Sequence, residues 1–401
     1  MSEWKKVKLG EICERVTSGG TPKANVSSYY NPPTIPWLKT KEVNYCRITE
    51  TENYISEEGL KNSSAKLISP NSVIIAMYGQ GDTAGRIAIN KIPLATNQAC
   101  CNLTIDKSKA DYEFIYYQLC TLYDKLVSLK AGAAQPNLNA RIIKNLEIIM
   151  PSLPIQHRIA SILSRYDSLI ENYQKQIKLL GEAAQRLYKE WFIDLHFPGH
   201  ENTNIIDGVP EGWEKKKVNS IIELQSGFAF KSSTFDDNGA YKIVTIKNVK
   251  DGAFDGDNVS RIVAIPEKMP KHCVLADGDI LLSLTGNVGR VCIVNGKNYL
   301  LNQRVAKLAT DFKAFTYCLF RSREMFIEIN NLANGAAQQN VSPIRIGEMK
   351  ILLPNSELLQ EFESIVFKSI ARIISLQSQL RLLTEARDRL LPKLMSGEIT
   401  V

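Results

Sequence analysis

Apolar residues along the chain fall into two long stripes separated by short blocks. The first stripe is Ile155, Ile159, Ile162, Tyr166, Leu169, Tyr173, Ile177, Leu180, Ala184, Leu187 and Trp191, in steps of three and four. The second, Leu359, Phe362, Val366, Ile373, Leu376, Leu380, Leu383, Leu390 and Leu394, closes the chain with the same alternation. Such spacing puts one apolar face on a helix and leaves the opposite face polar, so two helices of roughly 35 to 40 residues are predicted. At about 1.5 Å per residue each would span on the order of 55 to 60 Å, the length of a spacer or of a coiled-coil partner.

Between the stripes the period changes. Ser72–Tyr78 and Asp279–Thr285 are short apolar runs that end in glycine turns and resume as Arg86–Ile89 and Arg290–Ile293, the pattern of β-hairpins. Ile35–Lys39 and Lys242–Ile246 also carry strand-forming residues, and a helix is expected over about Tyr112 to Leu129. The blocks repeat. Trp4–Gly19 is answered by Trp213–Gly227, Lys41-Glu-Val43 by Lys247-Asn-Val249, Gly85-Arg86 by Gly289-Arg290, and Asn97-Gln98 by Asn302-Gln303. Gly132-Ala-Ala-Gln135 recurs as Gly335-Ala-Ala-Gln338, and Ile148–Pro151 as Ile351–Pro354, each pair leading into its stripe. Self-similarity on this scale is a duplication: lobe, helix, lobe, helix, with a Pro- and Gly-bearing link over Phe197–Gly212. The expected boundaries are a first lobe at 1–153, a helix at 154–197, a linker at 198–212, a second lobe at 213–356 and a second helix at 357–401. The fold class is α+β, with two pseudo-symmetric lobes of mostly antiparallel sheet.

Composition adds a bias rather than an identity. A net charge of +7 and 49 basic against 42 acidic residues favour a polyanionic partner. Eight cysteines without a CxxC pair give neither a zinc site nor a disulfide framework, and no apolar run reaches membrane-spanning length, so a cytoplasmic chain with reduced thiols and no membrane association is expected. Asn31-Pro32-Pro33-Thr34 resembles the Asn-Pro-Pro-aromatic motif of base-modifying methyltransferases, but Thr34 lacks the ring that would stack on an extruded base. Tyr78–Gly85 and Thr285–Gly289 lack phosphate-loop spacing. His196 and His200 are a weak pair in the linker, and no catalytic, metal or cofactor site is assigned.

What recurs in both lobes is a set of polar residues suited to base edges and phosphates. In the first lobe these are Lys39, Lys41, Gln80, Arg86, Asn97 and Gln98; in the second, Lys247, Asn248, Asn287, Arg290, Asn302 and Gln303. Arg and Lys pair with guanine O6 and N7, and Asn or Gln with adenine, in the DNA major groove.

In order along the chain, Ser18-Gly-Gly-Thr-Pro22, Leu153-Pro-Ile-Gln156, Pro210-Glu-Gly-Trp213, Ser226-Gly-Phe-Ala-Phe-Lys231, the paired Gly-Ala-Ala-Gln segments and the closing Leu383–Glu398 resemble the specificity subunit of type I restriction-modification systems. The first lobe departs from the pattern in lacking a full Pro-x-Gly-Trp lead before Trp4. The resemblance implies two target recognition domains joined by two long antiparallel coiled-coil helices. It also implies double-stranded DNA as ligand, with two methyltransferase (modification) subunits and an endonuclease and translocase (restriction) subunit as partners. The chain itself would read sequence without catalysing, each lobe taking one half of an asymmetric bipartite target. The competing expectation, a methyltransferase or nuclease in its own right, lacks a cofactor or metal motif.

Overall fold

The short apolar blocks become short strands and the two stripes become helices. The computed structural model describes residues 4–130, 137–257, 259–333 and 339–401, which leaves both Gly-Ala-Ala-Gln segments outside the described residues. The first lobe carries β1 (Lys5–Lys8), β2 (Cys13–Ser18), β3 (Ile35–Leu38), β4 (Cys46–Ile48), β5 (Tyr54–Ile55), α1 (Glu57–Lys61), β6 (Leu67–Ile68), β7 (Val73–Ala76), β8 (Ile87–Asn90), β9 (Leu94–Thr96) and β10 (Cys100–Ile105). Then come α2 (Tyr112–Thr121), α3 (Tyr123–Ser128), α4 (Ala140–Lys144) and β11 (Glu147–Met150), before α5 (Leu153–Tyr188). A linker ribbon, β12 (Ile205–Ile206) and β13 (Val209–Pro210), precedes the second lobe. That lobe has β14 (Glu214–Lys217), β15 (Glu223–Ser226), β16 (Tyr241–Val244), β17 (Ser260–Ile262), β18 (Val274–Leu275), β19 (Ile280–Ser283), β20 (Val291–Ile293), β21 (Tyr299–Leu301) and β22 (Val305–Ala309). It ends with α6 (Lys313–Arg321), α7 (Arg323–Ala333), α8 (Pro343–Gly347), β23 (Lys350–Leu353) and α9 (Ser356–Ser396).

Two compact units result, Met1–Leu169 with Thr384–Val401 and Ile170–Leu383. Both long helices are divided between them: unit 1 takes the start of α5 and the end of α9, unit 2 the end of α5 and the start of α9, so the helices run antiparallel. Unit 1 has a sheet of order β2-β10-β7-β8-β4 and another of order β5-β3-β9-β6; unit 2 has β15-β22-β19-β20 and β17-β16-β21-β18. Pairings are antiparallel except β4 with β8, β3 with β9 and β16 with β21. Among the described residues no helix is long and apolar enough to cross a membrane.

The expected helix over Tyr112–Leu129 is two. It breaks at Leu122, and the break lets Tyr123 turn under the β7–β8 hairpin, where its hydroxyl donates to the Asp82 carbonyl at 2.9 Å. The α5 stripe is also corrected. Leu169 is 44 % exposed, while Asp167 and Ile170 are buried; Tyr188, rather than Leu187, is buried near the end of the helix. Just beyond it a π turn, Lys189–Ile193, adds a residue to the helical turn. The wider turn brings two consecutive aromatics, Trp191 and Phe192, into the core of unit 2, with rings 5.6 and 4.9 Å from that of Phe362 on α9.

Asp167 is buried because it is partnered. Arg47 on β4 donates to Asp167 at 2.8 Å and to Glu113 at 2.6 Å, the Tyr117 hydroxyl donates to Asp167 at 2.5 Å, and Arg387 on α9 donates to it at 2.9 Å. The network ties the outer strand of the first lobe's large sheet to α2 and both long helices. Arg47, Glu113 and Asp167 sit almost out of water, so each needs the others.

In unit 2 the tie is a borrowed helix cap. In the first lobe Asp111 caps α2 by accepting from the Phe114 amide at 2.9 Å. The corresponding cap of α6 is Phe312, which has no acceptor in its side chain, and Glu363 from α9 accepts instead from the Ala314 and Phe315 amides at 2.9 and 3.1 Å. The orphan N–H groups of a helix start need such an acceptor when they are shielded from water.

Candidate nucleic-acid interface

In each lobe one edge collects the ends of several strands. In the first lobe β3 and β9 are parallel and finish side by side, and the Asn97 amide donates to the Leu38 carbonyl at 2.9 Å. The chain turns through Asn97-Gln98 into β10, and Met77 at the end of β7 donates to Ala99 at 2.8 Å. The Asn-Gln turn therefore lies beside Lys39 and next to the β7–β8 hairpin that carries Gln80 and Arg86. The second lobe repeats the frame. The Asn302 amide donates to Val244 at 3.1 Å at the end of β16, and Leu284 at the end of β19 donates to Arg304 at 3.0 Å.

The hairpins match as well. Gly85 and Gly289 have φ of 93° and 85°, left-handed values that a side chain resists, and each leads into an arginine. A Cβ on Gly85 would meet Tyr123 at 3.3 Å, and one on Gly289 would meet Phe326 at 3.1 Å, so each turn is seated on the aromatic residue that follows the corresponding helix break.

The twelve candidates differ in how free they are. Asn248 is fully buried: its Oδ1 accepts from the Thr245 amide at 2.8 Å and its Nδ2 donates to the Asp255 carbonyl at 2.8 Å. This corrects its expected role, because an amide spent on holding its own loop presents nothing to a base edge. Asn97 and Asn302 are half-buried, the first accepting from the Cys100 thiol at 3.3 Å and the second from the Arg304 amide at 3.3 Å; both shape the turn. Lys39 donates to Asn53 at 2.9 Å and lies 5.0 Å over the Trp37 ring. Lys41 is exposed and paired with Glu52.

Arg86 donates to Asp82 at 2.5 Å, and that hydrogen bond is the main reason the Asp82 carboxyl is held below its ordinary range. The guanidinium of Arg290 has no ion pair or hydrogen bond among the described residues. Gln80, Gln98, Lys247, Asn287 and Gln303 are exposed. Two residues of this edge escaped the sequence reading. Arg304, exposed directly after Gln303, stands where the first lobe has Ala99; Thr21 donates its hydroxyl to Gln98. Comparing the two copies position by position would have found Arg304, but nothing local in the sequence links Thr21 to Gln98.

Among the described residues, the remaining histidines, cysteines and carboxylates do not assemble into a metal site. The His196 and His200 rings are 5.3 Å apart, and His200 Nδ1 sits 2.9 Å from the Phe197 carbonyl. No disulfide joins the cysteines among the described residues, and burial pushes the Cys101 thiol up to about 12, far from a reactive thiolate.

Two α+β lobes with matching strand-end edges and two long antiparallel helices define a duplicated architecture. Residues 1–180 and 210–383 match the family described as the type I restriction modification DNA specificity domain. The chain is 30 % identical over 417 residues to the type I restriction enzyme MjaIX specificity subunit of Methanocaldococcus jannaschii, covering 100 % of this chain and 94 % of that one. It is 28 % identical to the MjaVIII specificity subunit of the same organism, covering 100 % and 93 %. In fold it is similar to the crystal structure of the type I restriction-modification S subunit from M. genitalium, with a TM-score of 0.66 at 18 % identity, over 98 % of this chain and 96 % of that one. The chain belongs to the type I restriction-modification specificity subunits, the non-catalytic DNA-recognition components of complexes that also contain methyltransferase and restriction subunits.

Proposed function

We propose that each lobe reads one half of an asymmetric bipartite DNA target through its strand-end edge, and that the paired helices set the spacer and dock two methyltransferase subunits. The observation that carries this is the recurrence of one hydrogen-bonded frame in both lobes with different exposed side chains on it. Gln80 and Gln98 occupy the first edge, and Asn287, Arg290, Gln303 and Arg304 the second. A shared frame with unlike side chains suits two half-sites of unlike sequence. Lys39, Lys41 and Lys247 flank these edges as phosphate contacts, and Arg86 joins its hairpin once released from Asp82. On this reading residues 1–153 and 213–356 are the recognition domains and 154–197 and 357–401 the spacers.

A lobe exchange tests it. Replacing residues 1–151 with the first lobe of a relative, in complex with the methyltransferase partner, is expected to change one half-site and leave the other and the spacer as they were. Sequencing of methylated sites reads the outcome, and a chimera that methylates two new half-sites would sink the proposal.

A further inference from the structure

The segment after β2 in the first lobe and after β15 in the second runs against the Asn-Gln turn. Gly20 donates its amide to Thr96 at 2.8 Å, and Phe228 donates to Leu301 at 2.9 Å, while the Gln303 amide donates back to Phe228 at 3.0 Å. The backbones are pressed together. A Cβ on Gly19 would lie 2.1 Å from the Thr96 carbonyl oxygen and 2.3 Å from that of Asn97, and one on Gly227 would lie 2.2 Å from the Asn302 oxygen. These contacts align Gly19 with Gly227 and Gly20 with Phe228, and therefore Thr21 with Ala229. Here the copies diverge: Thr21 donates to Gln98 Oε1, whereas Ala229 has no donor and the Gln303 side chain makes no hydrogen bond among the described residues.

We propose that Thr21 is a specificity-determining positioning residue, which fixes the amide of Gln98 before DNA arrives, while Gln303 in the second lobe is left free to turn. The inference rests on the function proposed above and deepens it. An amide carries an acceptor at one end and two donors at the other, so its orientation decides which base edge it matches. An unheld glutamine can swing away to satisfy a second base; one held by a hydroxyl, which donates to Oε1 or would accept from Nε2 if the amide turned, stays in place and offers the base the other end of its amide. Holding it also removes a rotameric cost from binding the correct sequence, a cost of a size that corresponds to roughly three- to tenfold in affinity.

The test uses the complex with its methyltransferase partner on a library randomised through both half-sites. Thr21→Val keeps the shape and loses the donor; Thr21→Ser keeps the donor. The valine variant is expected to lose about three- to tenfold discrimination at one base position of the first half-site, with the serine variant close to the parent and the second half-site unchanged. Equal behaviour of the valine and serine variants, or equal relaxation at both half-sites, would overturn the assignment. Gln98→Ala separates the two levels of the argument. If it relaxes one position and Thr21→Val does not, the positioning role falls alone; if it leaves the first half-site unaltered, the reading edge itself falls with it.

Discussion

Arg86 and Arg290 hold the same place in two hairpins, follow the same left-handed glycine and differ in one neighbour. Asp82 occupies Arg86, and the second hairpin has Gly286 where such an acid would stand. A guanidinium that must leave a carboxylate to reach DNA gains less from the move, so the two arginines are predicted to be unequal. Arg290→Ala is expected to cost about 1 to 3 kcal/mol of discrimination at one position of one half-site, Arg86→Ala less at the other, and Asp82→Asn to tighten binding while weakening selectivity. Binding of the complex to single-base variants of each half-site measures all three; equal losses from the two alanines would show that Asp82 does not restrain Arg86. The sequence pointed to turns that the structure gathers at one edge of each lobe, without telling which polar residues face outward. Asn248 answers Glu42 of the other copy in the aligned Lys-x-Val segments, yet it is spent on its own loop, because an asparagine faces inward wherever backbone groups nearby lack partners.

Among the elements, the long helices were the most legible and their polar positions the least. A stripe of apolar residues announces length and one face, whereas Asp167 and Arg387 lie on that face as charges, and sequence periodicity assigns charges to water. Asp167 takes its partners from β4, α2 and α9, far away in sequence, so only tertiary structure could bring them in. The break at Leu122 was hidden for the same reason, since the contact that goes with it joins Tyr123 to Asp82 of the β7–β8 hairpin, distant in sequence. Burial alone would raise the Asp167 carboxyl, but hydrogen bonds from Tyr117, Arg387 and Arg47 outweigh it and hold the group below its ordinary range. A carboxyl with a folded pKa below its unfolded value of about 3.9 contributes stability that is fully present above that value and is lost as pH falls through the folded one. Asp167→Asn is therefore predicted to flatten the acid limb of a stability-versus-pH curve below about pH 4. Asp167→Ala, which removes the carboxylate that Arg47 and Arg387 share but leaves Arg47 on Glu113 and Arg387 on Asp388, is expected to cost about 1.5 to 3 kcal/mol in denaturant unfolding at neutral pH. An alanine variant as stable as the parent would mean that Arg47 and Arg387 find water or other partners. In unit 2 the matching test is Glu363→Ala, expected to cost about 1 to 2 kcal/mol through the lost cap of α6.

For the whole molecule the duplication was legible because repeated residues need no structural knowledge to be seen, and it fixed the order lobe, helix, lobe, helix. On the proposed function, the gap between half-sites is a mechanical length that the helices determine, and this can be changed without touching a lobe's reading edge. Four residues inserted between Lys178 and Gln185 add about one helical turn, on the order of 6 Å. DNA rises about 3.4 Å per base pair, so the insertion corresponds to somewhat under two base pairs. Four residues exceed a turn of 3.6 by little, so the apolar seam shifts slightly, as in a stutter, and four residues added to the facing part of α9 in the same variant keep the two helices in register. The complex carrying the insertion is expected to prefer a spacer one or two base pairs longer with both half-site sequences unchanged, read as methylation of a library of spacer lengths. The two variants control each other in the same library: Thr21→Val should relax a base without moving the spacer, and the insertion should move the spacer without relaxing a base. An active insertion complex that keeps the parental spacer would mean that the distance is set by the partner subunits and not by these helices.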